Sequence, residues 1–269
     1  MLGGSGSDDI DAGTDASRDI VIGDNGEATF DSAGVLNAIQ TTAPADGGSD
    51  EILVGDGSDY VIGGVGNDFI NVDRETGAQV GTDSGDDVIL GDNGSAQFTI
   101  TNGQSIASHI ETTDPEVAGD DVIFAANGSD IVLGGSGSDD IDAGTDASRD
   151  IVVGDNGAAT FDADGVLSLI NTTDPTDGGS DEILVGDGDD YVIGGVGDDF
   201  INVDRETGAQ VGTDSGNDVI LGDNGSALFT ISNGQSIASH IETTNPEVCL
   251  LYTSPSPRDA TLSRMPSSA

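Results

Sequence analysis

The residues able to do chemistry in this chain are aspartates, and they recur in one setting. In "GGVGNDFIN" (63–71) three glycines precede Asp68, and one apolar residue, Ile70, follows between polar or aromatic neighbours. The same grammar returns as "GGSGSDDID" at 3–11 and 134–142 and as "GGVGDDFIN" at 194–202. Glycine reaches backbone angles that other residues avoid, so the glycine-rich half is a tight turn whose carbonyls are free to point inward. Turn and carboxylate together make an oxygen-only donor set. Nothing else composes a reactive centre. There is no Ser-His-Asp, histidine-rich or Walker-like arrangement. The GxSxG string falls in "GGSGS", on a repeating turn rather than a strand-to-helix elbow. The Gly-x-Gly strings lack the context of a nucleotide fingerprint. His109 and His240 are one position in two copies, with no Cys, Lys or second His beside them. No catalytic and no organic-cofactor residue is assigned, and the chain is expected not to be an enzyme.

The elements that position these aspartates follow from the remaining positions. One reliably apolar residue in nine fits a three-residue strand whose middle side chain points inward. Turn and strand, taken twice, make a coil of 18 residues, as from Asp50 to Asp68. Stacked coils pair their strands in parallel. Their inward residues form a narrow core of Ile10, Ile52, Val61, Ile70, Ile123, Val132, Ile141 and their copies. Phe30, Phe98, Phe161 and Phe229 fall on the same position. Nonapeptides run head to tail in "ADGGSDEIL" (45–53), "VGDGSDYVI" (54–62) and 63–71, and again in "EVAGDDVIF" (116–124), "AANGSDIVL" (125–133) and 134–142. "TDASRDIVV" (145–153) and "GDNGAATFD" (154–162) are weaker copies. Above this period lies a longer one. Leu2 to Val117 repeats as Leu133 to Val248, an offset of 131 residues with 15 differences in 116 positions. So close a copy is a recent duplication and adds no new chemistry.

The tandem pattern GGxGxDxUx resembles the repeat of hemolysin-type calcium-binding (RTX) proteins over most of residues 2–248. The resemblance implies an all-β fold, a right-handed parallel β-roll or calcium-bound β-solenoid, with several Ca²⁺ ions held in its turns. The implied ligands are Asp8, Asp19, Asp50, Asp59, Asp68, Asp87, Asp121, Asp130, Asp139, Asp150, Asp181, Asp190, Asp199 and Asp218, with the backbone of Gly3, Gly63, Gly134 and Gly194. The chemistry agrees, since Ca²⁺ takes about six to eight carboxylate and carbonyl oxygens. Coil spacing brings Asp50 near Asp68, Asp121 near Asp139 and Asp181 near Asp199. Glycine and aspartate also mark ordinary solvated turns; that reading predicts loose spacing, against the strict step found here. Asp24 and Asp92, in "GDNG", are either further ligands or turns without metal.

Inserts interrupt the coils. RTX coils are expected over 2–26, 45–94 (with a loop at 72–81), 116–157 and 176–225 (with a loop at 203–212). Hairpin inserts projecting from the roll are expected at 27–44, 95–115 and 158–175, and a truncated one at 226–248. Asn102-Gly103 is a strong two-residue hairpin signal, and Gly34 occupies the turn of the first hairpin. "DRET" (73–76) reads as a solvated loop or a ligand patch. The stretch 249–269, "CLLYTSPSPRDATLSRMPSSA", holds the only Cys and resembles a translated sequencing adapter, so it is read as non-native and the chain as a fragment.

Composition bounds the function. The chain has 51 acidic against 6 basic residues and a formal net charge of −45. That makes polyanionic nucleic acid a poor partner and argues against anionic membranes. No apolar run approaches a membrane span, so no membrane insertion is expected. Low hydrophobicity with such charge is a disorder signature unless something neutralises it. The expected function is calcium binding by a secreted, extracellular or cell-surface repeat region, a fragment of a larger adhesin or surface protein with an unidentified extracellular ligand. The alternative is the C-terminal repeat region of a secreted protease, lipase or cytolysin exported by a type I system.

Overall fold

Short apolar runs between glycine turns become strands throughout the computed structural model, which describes residues 1–117, 119–212 and 214–244. The first coil consists of β1 (Asp9–Asp11) and β2 (Ile20–Ile22), after which the chain leaves into a hairpin, β3 (Gly26–Phe30) and β4 (Leu36–Thr41). The second coil is β5 (Glu51–Leu53) with β6 (Tyr60–Gly64), and the third is β7 (Phe69–Ile70) with β8 (Val88–Asp92). A second hairpin follows, β9 (Gly94–Thr101) and β10 (Gln104–Thr112). Next come β11 (Val122–Phe124) with β12 (Ile131–Leu133), β13 (Asp140–Asp142) with β14 (Ile151–Val153), and the hairpin β15 (Gly157–Phe161) and β16 (Leu167–Thr172). The last coils are β17 (Glu182–Leu184) with β18 (Tyr191–Gly195) and β19 (Phe200–Ile201) with β20 (Val219–Asp223), before the hairpin β21 (Gly225–Ser232) and β22 (Gln235–Thr243). Every regular element among the described residues is a strand, and no helix there is long and apolar enough to cross a membrane.

The first strands of the coils form a seven-stranded parallel sheet, β1-β5-β7-β11-β13-β17-β19. The second strands form another, β2-β6-β8-β12-β14-β18-β20. Register aligns Ile10, Ile52, Ile70, Ile123, Ile141 and Ile183 in one row. Val21, Val61, Ile89, Val132, Val152 and Val192 form the row of the other sheet. The two rows pack together as the core of the roll. Strands of the first sheet bury mainly their middle residue, as in "DID" and "EIL". Strands of the second are apolar at three successive positions, as in "IVI", "YVI" and "IVL". Such runs belong to a sheet buried on both faces.

What covers the second face are the hairpins. They do not project singly. They join edge to edge into one eight-stranded antiparallel sheet, ordered β3-β4-β9-β10-β15-β16-β21-β22 from its first edge. Its inward row alternates small and large side chains across the strands: Ala28, Ile39, Ala96, Ile110, Ala159, Ile170 and Ala227. Ile22, Ile62, Leu90, Leu133, Val153 and Ile193 of the roll meet this row in a second core. The molecule thus has three layers and two cores.

The expectation for the phenylalanines is corrected by this arrangement. Phe98, Phe161 and Phe229 lie in the second core, not in the roll, and Phe30 is half exposed. Phe98 packs at a tilt against Tyr60 and Phe229 against Tyr191, with ring centroids 4.5 Å apart. The cause is that the chain leaves the coil after "GDNG", so "GDNGAATFD" is the root of a hairpin rather than a weak ninth-residue repeat. The fourth hairpin has strands of 8 and 9 residues, the same lengths as the second. Asn102 and Gly103 both take positive φ, 54° and 77°, as a tight hairpin turn requires. The stretch 249–269 lies outside the described residues.

Candidate metal centre

Each coil places one aspartate before each of its two strands, and stacking turns these into two ladders. In the first, the backbone N–H of Asp8 donates to Oδ1 of Asp50, that of Asp50 to Asp68, and so on through Asp121, Asp139, Asp181 and Asp199, at 2.7 to 3.1 Å. In the second, the same bond runs from Asp19 through Asp59, Asp87, Asp130, Asp150 and Asp190 to Asp218, also at 2.7 to 3.1 Å. The structure therefore gathers all the aspartates singled out by spacing into two columns, one per edge of the roll. The pairs 18 residues apart are neighbours, and inserts separate the rest in sequence but not in space.

A carboxylate has two oxygens, and the ladder uses one. In the first ladder Oδ2 of Asp8, Asp50, Asp68, Asp121, Asp139, Asp181 and Asp199 is buried without a hydrogen-bond partner. The same holds for Asp59, Asp87, Asp130 and Asp190 in the second. An unmatched buried carboxylate oxygen is costly, and a column of them demands a counter-charge. Beside each first-ladder oxygen lies a cradle that exists because a glycine has no side chain. A methyl group on Gly63 would sit 2.4 Å from Asp68 Oδ2 and 2.2 Å from the Gly91 carbonyl oxygen. One on Gly134 would sit 2.4 Å from Asp139 Oδ2 and 2.1 Å from the Gly154 carbonyl oxygen. Gly3 and Gly194 repeat the geometry with Asp8 and Asp199. Gly23, Gly91 and Gly154 do so with Asp50, Asp121 and Asp181. These three were missed as cradle residues because "GDNG" reads as a turn; the signal was the glycine closing each three-residue apolar run.

Electrostatics describe the same need. Burial first, then the charge of neighbouring aspartates, pushes the ladder carboxyls up: Asp68, Asp150 and Asp181 to about 9 and Asp87 to about 10. Asp121 and Asp139 are raised well above the ordinary carboxylate value for the same reasons. Toward the ends of the columns the rise is smaller, to about 7 for Asp50, Asp59, Asp190 and Asp199 and about 6 for Asp218. Asp130 is raised to about 8. Carboxylate and carbonyl oxygens alone, with no thiol or imidazole, suit a hard cation such as Ca²⁺. The residues present fit that ion.

The "GDNG" aspartates differ. Asp92 accepts from the N–H groups of Gly119 at 3.0 Å and Ser136 at 2.7 Å, one on each oxygen. Asp24 does the same with Gly48 and Val65, and Asp155 with Gly179 and Val196. Both oxygens are satisfied, so these residues pin one coil to the next two. The "DRET" arginine is likewise engaged. Arg74 lies over the Phe69 ring at 5.8 Å and donates to the Ser49 carbonyl at 2.9 Å. His109 sits on the outer sheet, 3.0 Å from Thr160 Oγ1 and 3.2 Å from a Glu111 carboxylate oxygen, away from both ladders.

Comparison with known proteins adds one finding. The family profile of the RTX calcium-binding nonapeptide repeat (4 copies) matches residues 45–74, 117–148 and 176–205. No curated protein and no solved structure matches the chain. Each matched segment contributes two first-ladder aspartates and one second-ladder aspartate.

Proposed function

Since the chain carries RTX calcium-binding nonapeptide repeats, we propose that it is a non-catalytic, calcium-stabilised region of an extracellular adhesin or surface protein. One observation carries this reading: the column of buried, unpartnered Oδ2 atoms facing glycine cradles. Bound calcium supplies the positive charge that these oxygens lack. The protein's own groups do the rest. Asp50, Asp68, Asp121, Asp139, Asp181 and Asp199 each tie one coil to its neighbour through Oδ1 and present Oδ2 to the cradle, so a filled cradle and a stacked coil require one another. Metal binding to such a site is folding free energy. Where calcium is scarce, as inside a cell, the acidic chain stays unfolded and exportable; outside, it folds. The hairpin sheet then offers a rigid face, with Gln97, His109 and Thr160 along one outward row, for an extracellular or cell-surface ligand. Circular dichroism after chelation at neutral pH, followed by titration with CaCl₂, tests the calcium step. A largely unfolded chain that gains its β signal at millimolar calcium is expected; full β signal in chelator sinks the reading.

A further inference from the structure

Asp83 belongs to neither ladder, yet it lies beside one. It enters from the insert that separates β7 from β8, four residues before Asp87. Asp59, Asp83 and Asp87 each bring a carboxylate oxygen within 4.8 Å of the others. All three are buried, at 0%, 3% and 1% exposure. Oδ2 of Asp59 and of Asp87 has no hydrogen-bond partner, because Oδ1 in each accepts the ladder N–H. Asp83 is held in place from the core. Asn71, in a left-handed conformation at φ 56°, accepts from Val54 N–H and donates to Asp83 Oδ2 at 3.0 Å and to the Phe124 carbonyl at 3.2 Å. The second copy repeats the asparagine contact, but Asp214 and Asp218 are only part-buried there, and among the described residues only the first-copy trio gathers its carboxylate oxygens this closely. Asn202, at φ 54°, donates to Asp214 Oδ2 at 3.1 Å, and Asp214 adjoins Asp218.

We propose that Asp83 completes, with Asp59 and Asp87, a three-carboxylate site for an oxygen-seeking divalent cation on the second ladder, and that this position is the first along the column to fill. The inference rests on the calcium reading above and adds a ligand that lies outside the repeat consensus. Its reason is charge count. Affinity of oxygen-ligand sites rises with the number of carboxylates gathered round the ion and with the rigidity of the site. Three buried carboxylates, one fixed by an asparagine side chain, exceed the two that a plain ladder step supplies. Asn71 acts as a positioning residue.

Tyrosine-sensitised terbium luminescence reads this site, because Tyr60 directly follows Asp59 and feels the charges of Asp59 and Asp87. The full chain titrated with Tb³⁺ should show an early phase of sensitised emission that Ca²⁺ competes away. In Asp83→Asn that phase should move to on the order of tenfold higher Tb³⁺. Asp214→Asn, in the copy whose three carboxylates do not close up, should leave the early phase in place. Asparagine keeps an acceptor for Asn71, and circular dichroism at saturating calcium shows whether the variant still folds. Asp46→Asn removes the same charge at an exposed position outside the cluster and should leave the early phase in place. No terbium or calcium binding by the parent chain overturns the calcium reading itself. Binding by the parent with an unchanged early phase in Asp83→Asn overturns this inference alone.

Discussion

From Asp50 to Asp199 each first-ladder aspartate divides its oxygens between two tasks, one joining coils and one facing a cradle, and the cradle's room is a property of glycine. Gly63→Ala would place a methyl 2.4 Å from Asp68 Oδ2 and 2.2 Å from the Gly91 carbonyl oxygen, where a cation would sit. The expected cost is about 1–3 kcal/mol of stability at saturating calcium, with a higher calcium midpoint. Thr99→Ala, on the exposed face of β9, should change neither. Calcium-monitored unfolding of the two variants decides the matter, and indistinguishable midpoints would place the cation elsewhere. Residues of this kind differ in how plainly the sequence displays them. The ladder aspartates are legible because the nine-residue step fixes them relative to the turn. Asp83 is not, because it arrives through an insert that breaks the count, and proximity to Asp59 depends on how the insert closes. Gly23, Gly91 and Gly154 are half visible, since a glycine after three apolar residues marks a strand end without saying what faces it.

At the level of elements, identical sequence does different work according to where pairing places it. Ile110 and Ile241 are equivalent positions in the two copies, on β10 and β22. Ile110 is 0% exposed between β9 and β15, whereas Ile241 is 47% exposed on the edge strand. Ile110→Ala should therefore cost ~2–5 kcal/mol. Ile241→Ala should cost much less, within the range of surface substitutions. Urea unfolding at fixed calcium measures both, and equal losses would show that the hairpins do not form the continuous sheet described. That sheet is the part of the fold least readable in advance. Each hairpin announces itself through alternation and a turn dipeptide, but the pairing of β4 with β9 and of β10 with β15 joins segments far apart in the chain. The clue lay in the strands beneath. "YVI" and "VIL" are apolar at all three positions, which is one face more than the roll alone can bury.

For the whole molecule the governing quantity is negative charge, −45 in all, much of it stacked in two dry columns. In the metal-free fold the ladder carboxyls are raised to about 7 for Asp50 and Asp59, about 8 for Asp130, about 9 for Asp68 and Asp181 and about 10 for Asp87. In the unfolded chain they return to about 4. Folding without metal therefore takes up protons. A group with a raised folded value contributes stability that is fully present below the unfolded value and is lost as pH rises through the folded one. The loss begins above pH about 4 and runs through the folded values, so protons replace calcium in acid and fail to do so at neutrality. Exposed carboxylates have largely finished titrating by pH about 5, which leaves the interval from there to pH about 8 to the ladders. With calcium bound the sign reverses, since protons then compete with the cation for the same oxygens. In chelator, the β signal by circular dichroism should grow as pH is lowered from about 8 to about 5, and in calcium the midpoint concentration should rise over the same interval. A chelated chain whose β signal stays flat across that range, or grows toward alkaline pH, would mean that the buried carboxyls are not what keeps the metal-free roll from folding.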